Sequence, residues 1–143
     1  MQVKDIMTKG VEVVRPDATL QEAATKMRSL DIGPLPVCDG DQMIGMLTDR
    51  DITVRATAEG LDPKQAKVRD VMSKELITLQ EDQDTKEAAE LMQSRQIRRV
   101  PIVSRDKRLV GMLSLGDLAR HSKDPQLAGK TLEQVSEPSK TSR

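Results

Sequence analysis

A seven-residue motif occurs twice in this chain, and this repetition constrains the fold more than any other feature. The stretch Val3–Lys9 (V-K-D-I-M-T-K) recurs 65 residues later as Val68–Lys74 (V-R-D-V-M-S-K). With one more residue of offset, Gly45–Thr48 (G-M-L-T) recurs as Gly111–Ser114 (G-M-L-S). Of 47 aligned pairs from the two copies, 16 are identical. The sequence therefore predicts a tandem duplication whose halves share one fold.

Each copy is predicted to have the order β-α-β-β-α. The first helix of each copy follows Thr19 or Asp84, where a Glu three positions later gives the spacing of a capping box. A second helix begins at Thr48 or Ser114. The predicted strands are short apolar runs separated by polar turns: Val11–Val14, Leu35–Cys38, Met43–Leu47, Leu76–Leu79, Val100–Val103 and Leu109–Leu113.

The predicted fold class is α/β (α+β), with two pseudo-symmetric repeats packed sheet to sheet. A unit of this size buries too little apolar surface to be stable alone, and sharing a core with a second copy removes that difficulty. We expect the first repeat at residues 3–58, a linker at 59–67 and the second repeat at 68–128. Residues 129–143 are rich in polar residues and are predicted to be a flexible tail.

Composition excludes several classes of function. The chain has no Phe, Tyr or Trp, so it cannot stack bases on aromatic rings, and its 23 basic residues balance 23 acidic ones. A nucleic acid is therefore not an expected partner. A membrane is not expected either, because no apolar run approaches the roughly 20 residues that span a bilayer. The lack of a secretion signal and the single Cys38 favour the cytoplasm.

No catalytic or metal site is predicted. Cys38 and His121 are the only residues of their types, which is fewer than a zinc site needs within one chain. A metal site at a subunit interface, where a dimer doubles the count, is the alternative that this leaves open. Cys38 ends an apolar run and is expected to be a buried, unreactive thiol. The sequence contains neither a Ser-His-Asp motif nor a glycine-rich phosphate loop. We therefore expect that the protein is not an enzyme.

The duplicated motifs resemble those of a tandem pair of cystathionine-β-synthase (CBS) domains, known as a Bateman module. The marks are Asp5-Ile-Met7, Leu35-Pro-Val37 and Gly45–Ile52 in the first copy, and Asp70-Val-Met72, Val100-Pro-Ile102 and Gly111–Leu118 in the second. The resemblance covers about residues 3–128, as in stand-alone bacterial CBS-pair proteins of the hypoxic-response type. It implies a regulatory module with two ligand clefts, and a homodimer.

The resemblance also implies site residues. In the family the hydroxyl of the Gly-x-x-Thr/Ser-x-x-Asp motif meets phosphate and the carboxylate binds the ribose hydroxyls of an adenine nucleotide (AMP, ADP or ATP). No other cofactor is required. By that transfer, the first cleft comprises Thr48, Asp51, Ile77, Thr78, Arg98, Arg99 and Pro101. The second and weaker cleft comprises Val13, Gly33, Pro34, Pro36, Ser114 and Asp117.

The same motif has a purely structural interpretation. A hydroxyl at Thr48 or Ser114 and a carboxylate three residues later match an N-cap with an acidic third position, which stabilises a helix by about 1 kcal/mol without any ligand. The two roles are compatible, since both leave the side chains at the start of a helix.

Charge distinguishes the two copies. The stretch Arg95–Arg108 carries six basic residues and one acidic residue, whereas the aligned stretch Leu30–Met43 carries three acidic residues and no basic one. Guanidinium groups bind phosphate in a bidentate manner, so the cleft with Arg98 and Arg99 is expected to take the more highly charged ligand.

Two functions follow from these patterns. The first is a cytoplasmic sensor of adenine nucleotides that passes its signal through a homodimer or an unknown downstream protein. The alternative is a dimerisation or interaction protein with vestigial clefts, which the departure of Ser114-Leu-Gly-Asp117 from Thr48-Asp-Arg-Asp51 favours.

Overall fold

The computed structural model describes residues 1–121 and 124–138, and these residues form two compact units. The N-unit comprises Glu12–Leu76, and the C-unit comprises Met1–Val11 together with the chain from Ile77 onward. The units therefore do not coincide with the sequence repeats. Each unit contains the body of one repeat and the leading motif of the other, because Val3–Lys9 belongs to the C-unit and Val68–Lys74 to the N-unit.

The N-unit is built around an antiparallel β-hairpin. Its elements are α1 (Leu20–Leu30), β1 (Pro34–Asp39), β2 (Gln42–Thr48), α2 (Asp49–Asp51), a π-helical segment (Ile52–Thr57) and α3 (Val68–Val71). Strands β1 and β2 pair from Pro34 with Thr48 to Asp39 with Gln42. Its core consists of Val14, Leu20, Ala23, Met27, Leu35, Val37, Leu47, Ala56, Val68 and Val71.

The C-unit has a three-stranded sheet in the order β3-β4-β5. Its elements are a 3₁₀ turn (Val3–Asp5), β3 (Leu79–Gln80), α4 (Thr85–Arg95), β4 (Arg99–Val103), β5 (Leu109–Ser114), α5 (Leu115–His121) and α6 (Pro125–Ser136). Strand β3 is parallel to β4, and β5 is antiparallel to it. Its core consists of Val3, Ile6, Leu79, Ala88, Ala89, Met92, Val100, Ile102, Leu113, Leu115 and Leu118.

The predicted start of the first helix is confirmed in both units. The Thr19 hydroxyl accepts a hydrogen bond from the Glu22 amide at 3.1 Å, which caps α1. The Asp84 carboxylate caps α4 by accepting from the Lys86 amide at 2.9 Å, one residue before the expected partner. Caps of this kind satisfy amides that have no partner within the helix.

The first predicted strand of each copy is much shorter than expected. Where a strand was predicted over Val11–Val14, the structure has one bridge, between Val14 and Val37. Where a strand was predicted over Leu76–Leu79, the structure has a strand at Leu79–Gln80. A parallel ladder extended toward the amino terminus would need amide hydrogens at Pro36 and Pro101, which proline lacks. The prolines therefore end the ladder at the same point in both units.

The predicted tail is wrong for the residues that the structure describes. Residues 125–136 form α6, which starts with a proline and is capped by Asp124 through the amides of Gln126 and Leu127. Ala128 and Thr131 are buried, and Leu127 and Val135 pack on the core of the C-unit. These residues recur at helical spacing, so a narrow apolar face overrides the polar composition. Residues 139–143 of the predicted tail lie outside the described residues.

Each leading motif joins its unit through a β-bridge that passes over a glycine. Thr8 and Met112 exchange two backbone hydrogen bonds of 2.9 Å, and Ser73 and Met46 exchange a matching pair. A Cβ atom on Gly45 would lie 2.8 Å from both the Met72 sulfur and the Ser73 carbonyl oxygen. The close approach of the motif to β2 therefore requires glycine at this position.

Gly45→Ala is expected to destabilise the protein by about 1–3 kcal/mol, because the added methyl group must displace the Ser73 backbone. The matched control is Gly129→Ala in α6, where the added methyl group would have no neighbour within 4 Å and stability should rise by about 0.5–1 kcal/mol. Chemical denaturation of both variants measures the difference. Equal stability of Gly45→Ala and wild type would contradict the close approach.

Cys38 is buried and unpaired with another cysteine, as predicted. Burial raises the pKa of its thiol above the ordinary value, and the negative charge of Asp41 raises it further. The thiolate is the reactive form of cysteine. In the folded state the thiol therefore stays protonated at a pH where a free thiol ionises.

We expect Cys38 to react with a chromogenic disulfide reagent only when the chain unfolds. At mildly alkaline pH, native protein should release almost no chromophore, whereas protein in concentrated guanidinium chloride should release one equivalent rapidly. The Cys38→Ala variant gives the background. Rapid reaction of the native protein would show that the thiol is accessible and ionised.

Candidate functional site

The Gly-x-x-Thr/Ser-x-x-Asp motif forms the same hydrogen-bonded box in both units. In the N-unit the Thr48 amide donates to Asp51 Oδ2 at 2.9 Å, and the Asp51 amide donates to Thr48 Oγ1 at 3.1 Å. In the C-unit the Ser114 amide donates to Asp117 Oδ2 at 2.9 Å, and the Asp117 amide donates to Ser114 Oγ at 3.0 Å. The structural interpretation of the motif is therefore confirmed in both copies.

The second carboxylate oxygen of each aspartate faces an arginine of the same helical segment. Asp117 Oδ1 accepts from Arg120 Nη2 at 3.3 Å, and Asp51 Oδ1 lies 3.8 Å from Arg55 Nε. The Asp117 side chain is only 6% exposed, whereas the Arg120 side chain is 70% exposed. Because the Asp117 carboxylate is buried, Arg120 can leave it at small cost only where another donor takes its place at Oδ1.

The hairpin register decides which predicted site residues are neighbours. In the N-unit, Pro34 pairs with Thr48, and the Gly33 carbonyl accepts from the Asp49 amide at 3.1 Å. The C-unit has the same arrangement. Arg99 pairs with Ser114, and the Arg98 carbonyl accepts from the Leu115 amide at 2.8 Å.

The structure thus brings Gly33 and Pro34 to Thr48, and Arg98 and Arg99 to Ser114, within single units. The resemblance instead implies pairings across the repeats. It places Arg98 and Arg99 in the cleft of Thr48, and it places Gly33 and Pro34 in the cleft of Ser114. Pairings between the two units remain predictions.

The remaining predicted site residues lie around the short parallel ladders. The Val13 carbonyl accepts a hydrogen bond from Lys26 Nζ at 2.6 Å, and the Pro36 carbonyl accepts from the Val14 amide. Ile77 and Thr78 are half-buried just before β3, and buried Pro101 pairs with Met112.

An open cavity of about 680 Å³ in the C-unit contains the most distinctive charge arrangement. Its described lining residues are Arg98, Arg99, Ser114, Leu115, Gly116, Ala119, Arg120, Ala128, Gly129 and Leu132. Three of these are arginines and none is acidic. Among the described residues, the Arg98 and Arg99 side chains have no ion-pair partner. We call this cavity the arginine pocket, and its charge suits an anionic ligand.

The sequence predicted Arg98 and Arg99 in the first cleft and Ser114 in the second, whereas the structure places all three around one pocket. It gave no prediction for the other side of that pocket. Arg120 lies one helical turn after Asp117, a basic residue at a spacing that could have been noticed. The buried residues of α6 do recur at helical spacing, but the polar composition of the segment led to the prediction of a tail.

The aligned positions of the N-unit have a different charge. Gly33 and Pro34 replace Arg98 and Arg99, and Asp49 replaces Leu115. The Asp49 carboxylate lies against Gly33, 3.1 Å from where a Cβ atom would be, and accepts from the Arg50 amide at 3.0 Å. A carboxylate in this place disfavours an anion. A smaller cavity elsewhere in the N-unit, of about 370 Å³, has both basic and acidic lining residues: Arg15, Lys26, Asp17 and Glu22.

Metal-ligand clusters and membrane-spanning helices are both absent from the described part of the chain. No three His, Cys, Asp or Glu side chains there are grouped as metal ligands. No described helix has the length and apolar character needed to cross a membrane.

Sequence comparisons identify relatives over most of the chain. The family model of the CBS domain matches twice, over residues 3–56 and 68–124. The CBS domain-containing protein YhcV of Bacillus subtilis is 44% identical over 134 residues, which are 94% of each chain. Hypoxic response protein 1 of Mycobacterium tuberculosis is 42% identical over 119 residues, which are 82% of each chain.

Solved structures share the fold. Hypoxic Response Protein I with two coordinated zinc ions has a TM-score of 0.77 and 41% identity, covering 85% of this chain and 98% of that chain. CBSX2 in complex with AMP has a TM-score of 0.72 and 25% identity, covering 83% and 93%. The CBS domain pair of MJ0100, in complex with 5′-methylthioadenosine and S-adenosyl-L-methionine, has a TM-score of 0.72 and 27% identity, covering 91% and 98%.

The predicted resemblance and the predicted mixed helix-and-strand fold class are both confirmed by these matches. The repeated motifs, the paired capping boxes and the family model agree with one another. The chain therefore belongs to the CBS domain family and carries two CBS domains in tandem.

Proposed function

We propose that this chain is a regulatory protein that binds an adenine nucleotide in the arginine pocket of its C-unit. The observation that carries the proposal is the set of three arginines, Arg98, Arg99 and Arg120, around a cavity with no acidic lining residue among those described. Relatives of the same fold bind compounds built on adenosine, namely AMP in CBSX2 and S-adenosyl-L-methionine in MJ0100.

The size and chemistry of the pocket suit a nucleotide. Its volume of about 680 Å³ lies within the range of roughly 300–1,000 Å³ that is typical of small-molecule sites. Arg98 and Arg99 offer planar donors that match phosphate oxygens. Leu115, Ala119 and Leu132 provide apolar surface for the uncharged part of the ligand. Because three positive groups line the pocket, we expect affinity to increase from AMP to ADP to ATP.

Arg120 links phosphate binding to ribose binding in this proposal. In the structure it donates to Asp117 Oδ1, while Asp117 Oδ2 accepts from the Ser114 amide. Asp117 does not line the pocket in this structure. We propose that when Arg120 turns to a ligand phosphate, Asp117 Oδ1 becomes available to a ribose hydroxyl, while Oδ2 still accepts from the Ser114 amide. The ligand therefore replaces Arg120 as the partner of the buried Asp117 carboxylate and leaves the helix start intact.

We propose that the N-unit binds anions more weakly. The Asp49 carboxylate lies where the C-unit has uncharged Leu115, and Gly33 and Pro34 bring no positive charge. Ligand occupancy then regulates by favouring whichever arrangement of the protein binds it more tightly. A homodimer or a downstream protein receives the signal, and no catalytic step is proposed.

A second function is favoured by one observation. Both motif aspartates already have hydrogen-bond and ion-pair partners in the structure. This is what an interaction protein with vestigial clefts would show, with the motif retained to cap helices. Ligand binding separates the two functions, because only the sensor binds nucleotides.

Arg99→Ala is expected to weaken ATP binding about tenfold or more, because a hydrogen bond to a charged group contributes about 1.5–3 kcal/mol. Isothermal titration calorimetry with AMP, ADP and ATP measures the change. The matched control is Arg105→Ala, which also removes one positive charge from the C-unit, but at a side chain that is 85% exposed and outside the pocket.

Thermal unfolding with the same nucleotides gives an independent measurement. A ligand at 100 times its dissociation constant should stabilise the wild type by about 2.7 kcal/mol. If no nucleotide shifts unfolding or releases heat, the sensor is wrong and the interaction protein is favoured. If Arg99→Ala and Arg105→Ala weaken binding equally, the ligand does not bind in the arginine pocket.

A further inference from the structure

Helix α6 lies beyond the CBS family match and yet forms one side of the arginine pocket. The match ends at residue 124, whereas α6 spans Pro125–Ser136 and contributes Ala128, Gly129 and Leu132 to the lining. The arginines and Ser114 come from elements within the match. The arginine side of the pocket therefore lies within the CBS family match, whereas the α6 side lies outside it.

Side-chain hydrogen bonds hold α6 against α4. Gln93 Nε2 donates to Thr131 Oγ1 at 3.0 Å, and the fully buried Thr131 hydroxyl donates to the Leu127 carbonyl at 2.7 Å. Gln96 Nε2 donates to the carbonyls of Gln134 and Glu137 at the end of the helix. With Leu127 and Val135 packed on the core, these contacts fix the position of α6 beside the pocket.

Gly129 is the unusual residue of this helix. Glycine weakens a helix interior, and no neighbouring atom lies within 4 Å of the place that its Cβ would occupy. Packing of the protein therefore does not require glycine here. Because Gly129 lines the arginine pocket, the open space beside it can hold part of a ligand.

The α6 side of the pocket is small and apolar. Ala128 and Gly129 add little bulk, and Leu132 is one of the large hydrophobic side chains that remain exposed, at 48%. An uncharged, flat group placed against these residues would cover Leu132 while the arginines bind the anionic end. The apolar and cationic sides together select a phosphorylated compound with an uncharged body.

We propose that α6 is the specificity element of the arginine pocket, with Gly129 and Leu132 contacting the uncharged body of the ligand. The inference rests on the proposed function, since it concerns the same pocket. It adds that selection among phosphorylated compounds depends on a helix that the CBS domain itself does not supply.

The test compares ATP with inorganic pyrophosphate, which has the anionic end alone. Gly129→Leu puts a good helix former into the open space, and we expect it to weaken ATP binding at least about tenfold with pyrophosphate binding unchanged. Gly129→Ala is the smaller substitution at the same position and should weaken ATP binding less than Gly129→Leu does. Calorimetry measures both ligands, and a wild-type-like thermal midpoint confirms folding.

A second variant keeps the proposal falsifiable if Gly129→Leu disturbs the helix. Leu132→Asn should weaken ATP binding and spare pyrophosphate binding. Its matched control is Leu30→Asn, at a leucine of α1 that is exposed to a similar degree, 40% against 48%. Leu30→Asn should leave both ligands unaffected.

The outcomes separate the two proposals. If wild type binds ATP and the α6 variants bind it equally well, α6 is not the specificity element and the nucleotide site stands. If the variants lose pyrophosphate as strongly as ATP, α6 does not contact the uncharged body. If wild type binds pyrophosphate and no nucleotide, both the proposed function and the role of α6 are overturned.

Discussion

Backbone pairing between a leading motif and the last strand of the other repeat's body is the interaction on which both units depend. Thr8 pairs with Met112, and Ser73 pairs with Met46, so each bridge covers an edge that would otherwise leave amides and carbonyls unpaired. The valine that begins each motif, Val3 or Val68, is fully buried in the core of the unit it joins. A single sequence repeat lacks one of these parts. The duplication is therefore needed to complete each unit as well as to enlarge the protein.

Two prolines determine where the short parallel ladder of each unit stops. Pro36 and Pro101 have no amide hydrogen, so each parallel ladder stops after its first contacts. If the register of β3 and β4 continued, Ile77 would pair with Val100, and its carbonyl would need a donor at Pro101, which has none. Backbone groups next to a sheet but outside its ladder are well placed to bind the edge of a base. This is a physical reason for the role that the resemblance implies for Ile77 and Thr78, which do not line the arginine pocket.

Local signals in the sequence predicted the local structure well. Thr19 and the Ser114–Asp117 spacing gave the helix starts, and short apolar runs between polar turns gave β1, β2, β4 and β5. Features that depend on contacts distant in sequence were missed. The exchange of leading motifs leaves no local signal, and α6 is stabilised by α4 through Gln93 and Gln96. Arg98 and Arg99 were predicted as ligand residues, whereas Arg120 becomes their neighbour only when the C-unit folds.

The two units show how one fold can support unequal chemistry. Both retain the capping box, because the backbone needs it whether or not a ligand binds. The variable positions are those beside the box, where substitution changes charge without disturbing the cap. Arginine at 98 and 99, with leucine at 115, gives this part of the C-unit positive charge, whereas Asp49 beside Gly33 gives the matching part of the N-unit negative charge. Because the cap uses only one oxygen of each aspartate, the other oxygen can change partner. Fold and ligand affinity can therefore vary independently at this motif.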